Sequence, residues 1–249
     1  MINKPLSVII IVNETGFYHP KFVKNLLEKL NDQEAKILVG LVTKTKKTNS
    51  IEYYLFRNMF YLSIKELFIL TGKVVYYKCL KNLLCYFKIF LSVELVLKKM
   101  GINYFYVEND INKLSYLKII SNFKPDIIIS SCSVIFKKDL LNIPKLGCIN
   151  RHSSLLPSYG GVYPVFNSIA DGKNYSGVTV HKMTEKIDEG DILAQRKIYF
   201  KTKNLSQIYS QCFDISPNLI LYAVENLKQG NFISPTEKHS YFSFPNKKR

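Results

Sequence analysis

Short hydrophobic runs alternate with amphipathic stretches along the first half of the chain. Residues 6–12 form an apolar run rich in β-branched residues, which predicts a buried strand. After a polar loop, the helical spacing of apolar residues over 20–30 predicts an amphipathic helix. Further buried strands are predicted at residues 37–42, 104–107 and 126–130. Strands that alternate with helices in this way predict a mostly parallel α/β sheet flanked by helices.

The second half of the chain extends the predicted sheet and then becomes helical. Residues 147–152 predict one more strand, and the strict alternation over 178–183 is typical of an edge or antiparallel strand. A helix is predicted at about residues 205–227. We therefore predict one α/β domain over residues 1–200, followed by a short C-terminal extension over 201–249.

Residues 51–100 differ in composition and residue spacing from the segments on either side. Aromatic and aliphatic residues recur there at helical spacing, mixed with eight lysines and arginines and only three acidic residues. This predicts a helical insertion of two or three amphipathic helices. We expect it to pack on the sheet or on a partner subunit, and the alternative is a helix that lies on an anionic membrane surface.

The composition is that of a globular protein with an unusual charge. The 249 residues carry 35 basic and 19 acidic side chains, a formal net charge of +16, which suggests an anionic partner or ligand. Only four of the basic residues are arginines, namely Arg57, Arg151, Arg196 and Arg249. Because arginine supplies the bidentate fork that reads bases, this composition argues against base-specific DNA recognition. A non-catalytic protein that binds nucleic acid or a membrane surface stays open as an alternative.

The cysteines and the N-terminus indicate an intracellular protein. The five cysteines form no CxxC pair, so they indicate neither a zinc site nor a disulfide framework. The N-terminus lacks the pattern of a signal peptide, and no run approaches a membrane span. We therefore expect a cytoplasmic protein without membrane insertion.

Residues 147–193 hold most of the chemically specific features. Asn150 and His152 are two positions apart on a predicted strand, so their side chains project from the same face and can share a pocket. Tyr159, Gly160 and Gly161 follow in a loop whose glycines permit a close backbone approach to a ligand. No metal-ligand spacing occurs near His152, and no metal site is predicted.

An acidic cluster follows within the same segment. Four of the nineteen acids fall within residues 185–191, and Asp188 is the strongest functional candidate among them. A carboxylate beside an imidazole raises the imidazole pKa and orients the ring, and an amide can stabilise an oxyanion. Asn150, His152 and Asp188 therefore suit acyl transfer through a tetrahedral intermediate. A hydrolase using Ser153 or Ser154 is disfavoured, because adjacent residues rarely face each other and no Gly-x-Ser-x-Gly elbow occurs.

Several ordered motifs in this segment resemble one family. They are Asn150 with His152, Ser-Leu-Leu-Pro at 154–157, Gly-Val-Thr with His181 at 177–181, and Asp188 with Gly190. This series resembles the catalytic segment of the formyltransferases that use 10-formyltetrahydrofolate. The resemblance implies a Rossmann-like catalytic domain over residues 1–200, with the folate near the carboxyl ends of the strands.

The resemblance also implies roles for individual residues. Asn150 and protonated His152 would stabilise the oxyanion, and Asp188 would keep His152 charged and help remove the amine proton. The folate would contact Ser133, Val134, Ile135, Phe136, Leu156 and Asp188. His181 is expected to be structural. The sequence departs from the family pattern at Gly160, where an arginine is common, and at Arg151, where an apolar residue is common.

The acceptor amine is predicted from the branches of this family. Methionyl-tRNA formyltransferases carry a C-terminal barrel, and the 49 residues after Phe200 disfavour this branch. Glycinamide ribonucleotide formyltransferases carry a phosphate-binding loop after the first strand, and the sequence here lacks that loop, which disfavours the second branch. The sequence most resembles sugar N-formyltransferases of surface-polysaccharide synthesis, which implies a nucleotide-linked amino sugar as substrate, with dTDP-4-amino-4,6-dideoxyglucose as the specific expectation. Substrate contacts are expected from His19, Tyr159, Gly160 and Tyr241, and a homodimer is expected.

Overall fold

The computed structural model describes residues 5–16, 18–45, 92–201 and 204–243, with residues 68 and 72 described singly. Nine strands lie in these ranges: β1 (Ser7–Asn13), β2 (Lys36–Thr45), β3 (Tyr104–Asn109), β4 (Ile127–Ser131), β5 (Gly147–His152), β6 (Gly160–Gly161), β7 (Tyr175–Lys182), β8 (Ile192–Tyr199) and β9 (Tyr241–Phe242). The helices there are α1 (His19–Asn31), α2 (Val93–Met100), α3 (Leu114–Phe123), α4 (Lys138–Leu141), α5 (Pro164–Ala170) and α6 (Leu205–Gln229).

Seven strands form one sheet in the order β3-β2-β1-β4-β5-β7-β8. The first five positions of this order are linked by parallel pairings, whereas β7 pairs antiparallel with both β5 and β8. The predicted mostly parallel α/β fold is confirmed. The predicted strands and the two predicted helices are present in the described residues with small differences at their ends.

Helices cover both faces of this sheet. Helices α1, α2 and α6 pack with Val8, Ile10 and Val12 of β1 in one core cluster. Ile9 and Ile11 point the other way and pack with α3 and α4 in a second cluster. Because both faces are covered, β1 is a continuous apolar run rather than an alternating one.

The order of the strands reverses between β1 and β4. Chain order runs outward from β1 to β2 and β3 on one side, and from β4 to β5 on the other. At such a reversal the connections leave in opposite directions and open a crevice at the carboxyl ends of the strands, where ligands of open α/β sheets bind. Asn13, Ser131 and His152 end three neighbouring strands at this edge.

The predicted insertion at residues 51–100 lies mostly outside the described residues. Its last part forms α2, which begins after a serine N-cap, since Ser92 Oγ accepts a hydrogen bond from the Leu95 N–H. None of the helices in the described ranges combines the length and the apolar character that a membrane crossing requires.

Candidate active site

A cavity of about 500 Å³ opens at the carboxyl ends of β1, β4 and β5. It is lined by residues from seven parts of the chain: Asn13 and His19; Ser130–Phe136; Asn150–Ser153; Gly161–Pro164; His181 with Met183–Asp188; Tyr209 with Phe213; and Tyr241. Its size and its mixture of apolar and polar lining residues suit a small organic ligand.

Strand β5 places the predicted amide and imidazole side by side. Asn150 and His152 share one face of the strand, and pairing with β7 sets Asn150 opposite His181. The Asn150 Nδ2 lies 3.4 Å from His181 Nε2. His181 Nδ1 lies 2.8 Å from the Lys182 carbonyl oxygen, which only accepts hydrogen bonds. Nδ1 therefore carries a proton, and the ring presents Nε2 to the Asn150 amide, so β7 orients this amide.

The loop between β7 and β8 brings Asp188 to both imidazoles. Its Oδ2 lies 3.7 Å from His152 Nδ1, and its Oδ1 lies 3.6 Å from His181 Nε2. The Gly161 N–H donates to Oδ2 at 2.8 Å. Asp188 has a φ of 57°, in the left-handed region that non-glycine residues seldom adopt. Strained backbone of this kind is typical of functional positions, where surrounding contacts hold it.

Gly190 explains why this acidic loop can fold against the sheet. A Cβ at this position would collide with the Lys182 carbonyl of β7. The hydrogen bond from the Lys182 N–H to the Asp191 carbonyl, at 2.9 Å, closes the same turn. The Asp-x-Gly spacing in the sequence is therefore what lets Asp188 lie over β5.

Asp188 is held in its ionised form. Burial alone would raise its pKa, but three contacts together outweigh burial: the hydrogen bond to His181, the positive charge that His152 carries in the acid range where Asp188 titrates, and the Gly161 N–H. The pKa of Asp188 therefore lies well below its usual range, and the cluster carries a fixed negative charge at neutral pH.

His152 differs from the sequence-based expectation of a charged imidazole. Burial lowers its pKa more than the neighbouring Asp188 raises it, so the pKa of His152 lies below its ordinary value. Its Nε2 lies 3.0 Å from the Tyr159 carbonyl oxygen and must carry the proton there, because a carbonyl only accepts. In the protein without ligands His152 is therefore a neutral, oriented imidazole at neutral pH.

The residues predicted to contact folate divide into two groups. Ser133, Val134, Ile135 and Phe136 form the wall of the cavity after β4. Asn112 fixes this wall, since its Nδ2 donates to the Ile135 carbonyl at 2.9 Å and its Oδ1 accepts from the Lys137 N–H at 2.8 Å. The structure places Leu156 elsewhere, buried beside β7 and outside the residues that line this cavity.

The four predicted acceptor contacts are also divided. His19 and Tyr241 line the cavity, whereas Tyr159 and Gly160 do not. Tyr159 instead contributes its carbonyl to His152 and stacks on Phe242, with ring centroids 5.6 Å apart. Gly160 lies against His239, and its N–H donates to the Ser240 carbonyl at 2.8 Å. Its lack of a side chain thus admits the C-terminal strand β9 rather than a ligand.

Sequence reasoning missed several lining residues. His181, expected to be structural, lies beside both Asn150 and Asp188. Tyr209 and Phe213 reach the cavity from α6, more than fifty residues after Asn150 and His152, and no local pattern marks them. Arg151, in sequence only a departure from a family pattern, also lines the cavity. Among the described residues no cluster of three or more His, Cys, Asp or Glu side chains is placed to hold a metal ion.

The fold and this site together define a class of protein. It is an open α/β protein in which an amide, an imidazole and a carboxylate converge at the ends of the strands, an arrangement that suits acyl-group transfer. Residues 94–224 match the family model described as formyl transferase, which is more than half of the chain. The chain belongs to the formyl transferase family.

Three of the proteins similar to this chain bear different names. Methionyl-tRNA formyltransferase of Borreliella afzelii (strain PKo) is 39% identical over 130 residues, which is 51% of this chain and 41% of that protein. Glycinamide ribonucleotide transformylase 1 from Symbiobacterium toebii has a similar structure, with a TM-score of 0.60 at 12% identity over 91% of this chain and 89% of that chain.

WlaRD, a sugar 3N-formyl transferase crystallised in the presence of dTDP and 5-N-formyl-THF, has a TM-score of 0.58 at 14% identity, covering 96% of this chain and 70% of that chain. At these identities the structural similarities show a shared fold. The chain matches less than half the length of its methionyl-tRNA formyltransferase relative.

Proposed function

We propose that this protein transfers a formyl group from 10-formyltetrahydrofolate to the amine of a nucleotide-linked amino sugar. The observation that carries the proposal is the convergence of Asn150, His152 and Asp188 in one cavity at the carboxyl edge of the sheet. This places an amide donor, an oriented imidazole and an ionised carboxylate around a space that a formyl group can occupy.

The wall after β4 fits the folate. Ile135 exposes 59% of its surface while it lines the cavity, and Val134 and Phe136 flank it. An apolar side chain that stays exposed inside a cavity suits the face of a flat ring system, which would cover it.

When bound, 10-formyltetrahydrofolate supplies an activated formyl carbonyl, which the acceptor amine attacks. One N–H of the Asn150 amide points to His181, and the second can donate to the carbonyl oxygen as it becomes negative. His152 lies on the same face of β5 and, once protonated, adds a positive charge beside this oxygen. The carbon–nitrogen bond to the acceptor forms, and the bond to the folate nitrogen then breaks.

Asp188 completes the proton transfers. As an ionised carboxylate at the edge of the cavity, it can accept a proton from the attacking amine through a water molecule. It also favours a proton on His152 Nδ1 at 3.7 Å once negative charge develops nearby. The departing folate nitrogen takes up the proton that the amine gave.

The acceptor side of the proposal rests on the aromatic rim. Tyr241 of β9 lines the cavity, and Phe242 stacks on Tyr159 beside it. Aromatic rings at a cavity mouth suit a nucleotide base by stacking. The structure of WlaRD in the presence of dTDP and 5-N-formyl-THF supports the same pair of ligand types. Within this class we propose dTDP-4-amino-4,6-dideoxyglucose as the substrate.

A methionyl-tRNA acceptor is the second candidate, because a 39% identical relative bears the name methionyl-tRNA formyltransferase. The net charge of +16 is compatible with a polyanion of this kind. Glycinamide ribonucleotide is a third amine to compare, given the shared fold with a transformylase of that name.

The test is a formyl-transfer assay with 10-formyltetrahydrofolate and three acceptors. The acceptors are dTDP-4-amino-4,6-dideoxyglucose, methionyl-tRNA and glycinamide ribonucleotide, each followed by mass spectrometry of the product. We expect a mass increase of one formyl group on the amino sugar. Turnover on methionyl-tRNA alone would replace the proposed acceptor, and no turnover on any amine would overturn formyl transfer.

A further inference from the structure

Arg151 occupies the opposite face of β5 from the proposed catalytic residues. Because side chains alternate along a strand, it points away from Asn150 and His152, toward α6. Its Nε donates to Ser216 Oγ at 2.9 Å, and its guanidinium carbon lies 3.9 Å from the centroid of the Phe213 ring. The cavity wraps over the strand end and reaches this face, where Arg151, His19, Tyr209 and Phe213 line it. We call these four residues the α6 compartment.

The guanidinium of Arg151 is only partly satisfied by the described residues. Its Nη2 is buried and has no hydrogen-bond partner among them. None of the carboxylates in the described ranges forms an ion pair with it. The residue is 7% exposed, and although burial lowers its pKa to about 10, it stays charged at neutral pH. An unpaired buried charge is costly, so such a group is normally matched by an anion.

Arg151 is the charged residue of the α6 compartment, because His19, Tyr209 and Phe213 are uncharged. His19 Nε2 lies 3.3 Å from the Ser131 carbonyl, and its Nδ1 lies 2.8 Å from Thr15 Oγ1. Burial first and the charge of Arg151 second lower the pKa of His19 to about 4, so the ring is neutral. Tyr209 and Phe213 add aromatic surface. The compartment thus combines one planar cation with uncharged walls.

We propose that Arg151 binds an oxyanion carried by the formyl acceptor, which is the diphosphate when the acceptor is a nucleotide-linked amino sugar. This inference rests on the proposed function. The planar fork of a guanidinium matches a phosphate or carboxylate, and Nη2 is the donor still without a partner in the described residues. The folate wall at 133–136 packs toward the other face of the sheet, where Phe136 joins the cluster with α3 and α4. The two ligands would therefore reach the catalytic cluster from opposite faces.

The kinetic test compares Arg151→Met with Arg196→Met. Arg196 is an exposed arginine on β8 and gives the same substitution away from the cavity. We expect Arg151→Met to raise KM for dTDP-4-amino-4,6-dideoxyglucose at least about tenfold. KM for formylfolate should stay unchanged, and so should kcat/KM for the methyl glycoside of the same amino sugar, which lacks the diphosphate. Arg196→Met should match the wild type. An unchanged KM for the nucleotide sugar, or a rise confined to formylfolate, overturns the proposal.

A binding measurement separates this proposal from the proposed function. Thermal unfolding is followed in sodium pyrophosphate and in sodium acetate at constant ionic strength. We expect pyrophosphate to raise the Tm of the wild type and of Arg196→Met, and to have no such effect on Arg151→Met. Acetate tests whether a carboxylate serves as well. If pyrophosphate raises the Tm in this way but no acceptor is formylated, the result supports the anion site and contradicts formyl transfer.

Equal responses of the wild type and Arg151→Met overturn the anion site. Should Arg151→Met fail to fold, Arg151→Lys keeps the charge but loses the planar fork. We expect it to show a weaker pyrophosphate response and a raised KM for the nucleotide sugar. A lysine variant identical to the wild type in both measurements also overturns the proposal.

Discussion

Single side chains in this protein act through more than one neighbour, and Asp188 is the clearest case. Its two oxygens face His152 and His181, and one of them also accepts the Gly161 N–H. The carboxylate therefore links three strands, β5, β7 and β6. A change at Asp188 affects both the charge of the cluster and the orientation of its imidazoles.

Replacing Asp188 with Asn should lower kcat by about 10²-fold or more, because proton removal and orientation of His152 are lost together. Steady-state kinetics with whichever acceptor proves to be formylated measures this. Asp139→Asn is the matched control, since Asp139 is an exposed aspartate on the short helix α4. Near-native turnover in Asp188→Asn would disprove the proposed role.

His19 should make folding stability depend on pH. Its pKa is about 4 in the folded protein, below the ordinary value of 6.5, so protons bind preferentially to the unfolded chain. The stabilisation by neutral His19 is complete above about pH 6.5 and is lost as the pH falls from there toward 4. At about pH 5 the loss relative to neutral pH is on the order of 2 kcal/mol.

The comparison with His19→Gln isolates this effect, because glutamine does not titrate. Urea unfolding from about pH 7.5 to about pH 5 gives the free energy of unfolding of both proteins. We expect the wild type to lose stability relative to the variant as the pH falls. Parallel pH curves for the two proteins would contradict the assignment of a neutral His19 with a lowered pKa.

At the scale of elements, the two-stranded sheet β6–β9 links the loop after β5 to the C-terminal tail. Gly160 pairs with Tyr241 and Gly161 with Phe242, and the Val162 N–H donates to the Phe242 carbonyl at 2.8 Å. This pairing carries Tyr241 to the cavity and holds Gly161 where its N–H reaches Asp188. The tail thereby shapes both the rim and the proposed catalytic cluster of Asn150, His152 and Asp188.

Gly161→Ala should disrupt this pairing. A Cβ there would collide with the Phe242 carbonyl, and the residue has a φ of 87°. Gly172 is a matched control, with a φ of 75° but open space where a Cβ would lie. We expect Gly172→Ala to cost about 1 kcal/mol of unfolding free energy, from backbone strain alone.

Gly161→Ala should add loss of β9 docking to that strain. Limited proteolysis should cleave the chain after α6 faster in this variant than in Gly172→Ala, and KM for the nucleotide sugar should rise. Equal cleavage rates and equal KM values in the two variants would show that β9 is not held by the β6 glycines.

At the scale of the whole molecule, the net charge of +16 acts as a long-range field. Both proposed ligands are anions, since folate carries glutamate carboxylates and the nucleotide sugar carries a diphosphate. A diffuse positive potential raises the rate at which small anions reach a cavity. The lysine-rich composition suits this role better than the reading of bases.

The value of kcat/KM for the nucleotide sugar should therefore fall severalfold as ionic strength rises from about 0.01 M to about 0.15 M. Over this range the Debye length falls from about 30 Å to about 8 Å, so the positive field of the protein is screened. The turnover number kcat should change little, because screening acts on encounter. A salt-independent kcat/KM would argue against steering by the net charge.

Much of the fold could be predicted from the sequence because its signals are local. The apolar run at 6–12 and the DIIIS segment at 126–130 indicate buried strands between helices, and the structure places them side by side as β1 and β4. Asn150 and His152 could be predicted to share a pocket because residues two apart on a strand face the same way. Asp188 and Gly190 stand out in the sequence as part of a motif.

Tertiary structure decided what local patterns do not carry. The strand order set the position of the cavity, and α6 brought Tyr209 and Phe213 to it from distant positions. Burial made His152 neutral where the family resemblance implied a charged ring beside Asp188, because desolvation depends on everything packed around the ring. Gly160 and Leu156 were expected to contact ligands, but the first packs against His239 near β9 and the second lies away from the cavity. The sequence determined which chemistry is present, and packing determined which groups meet, because burial and strand order depend on residues far apart along the chain.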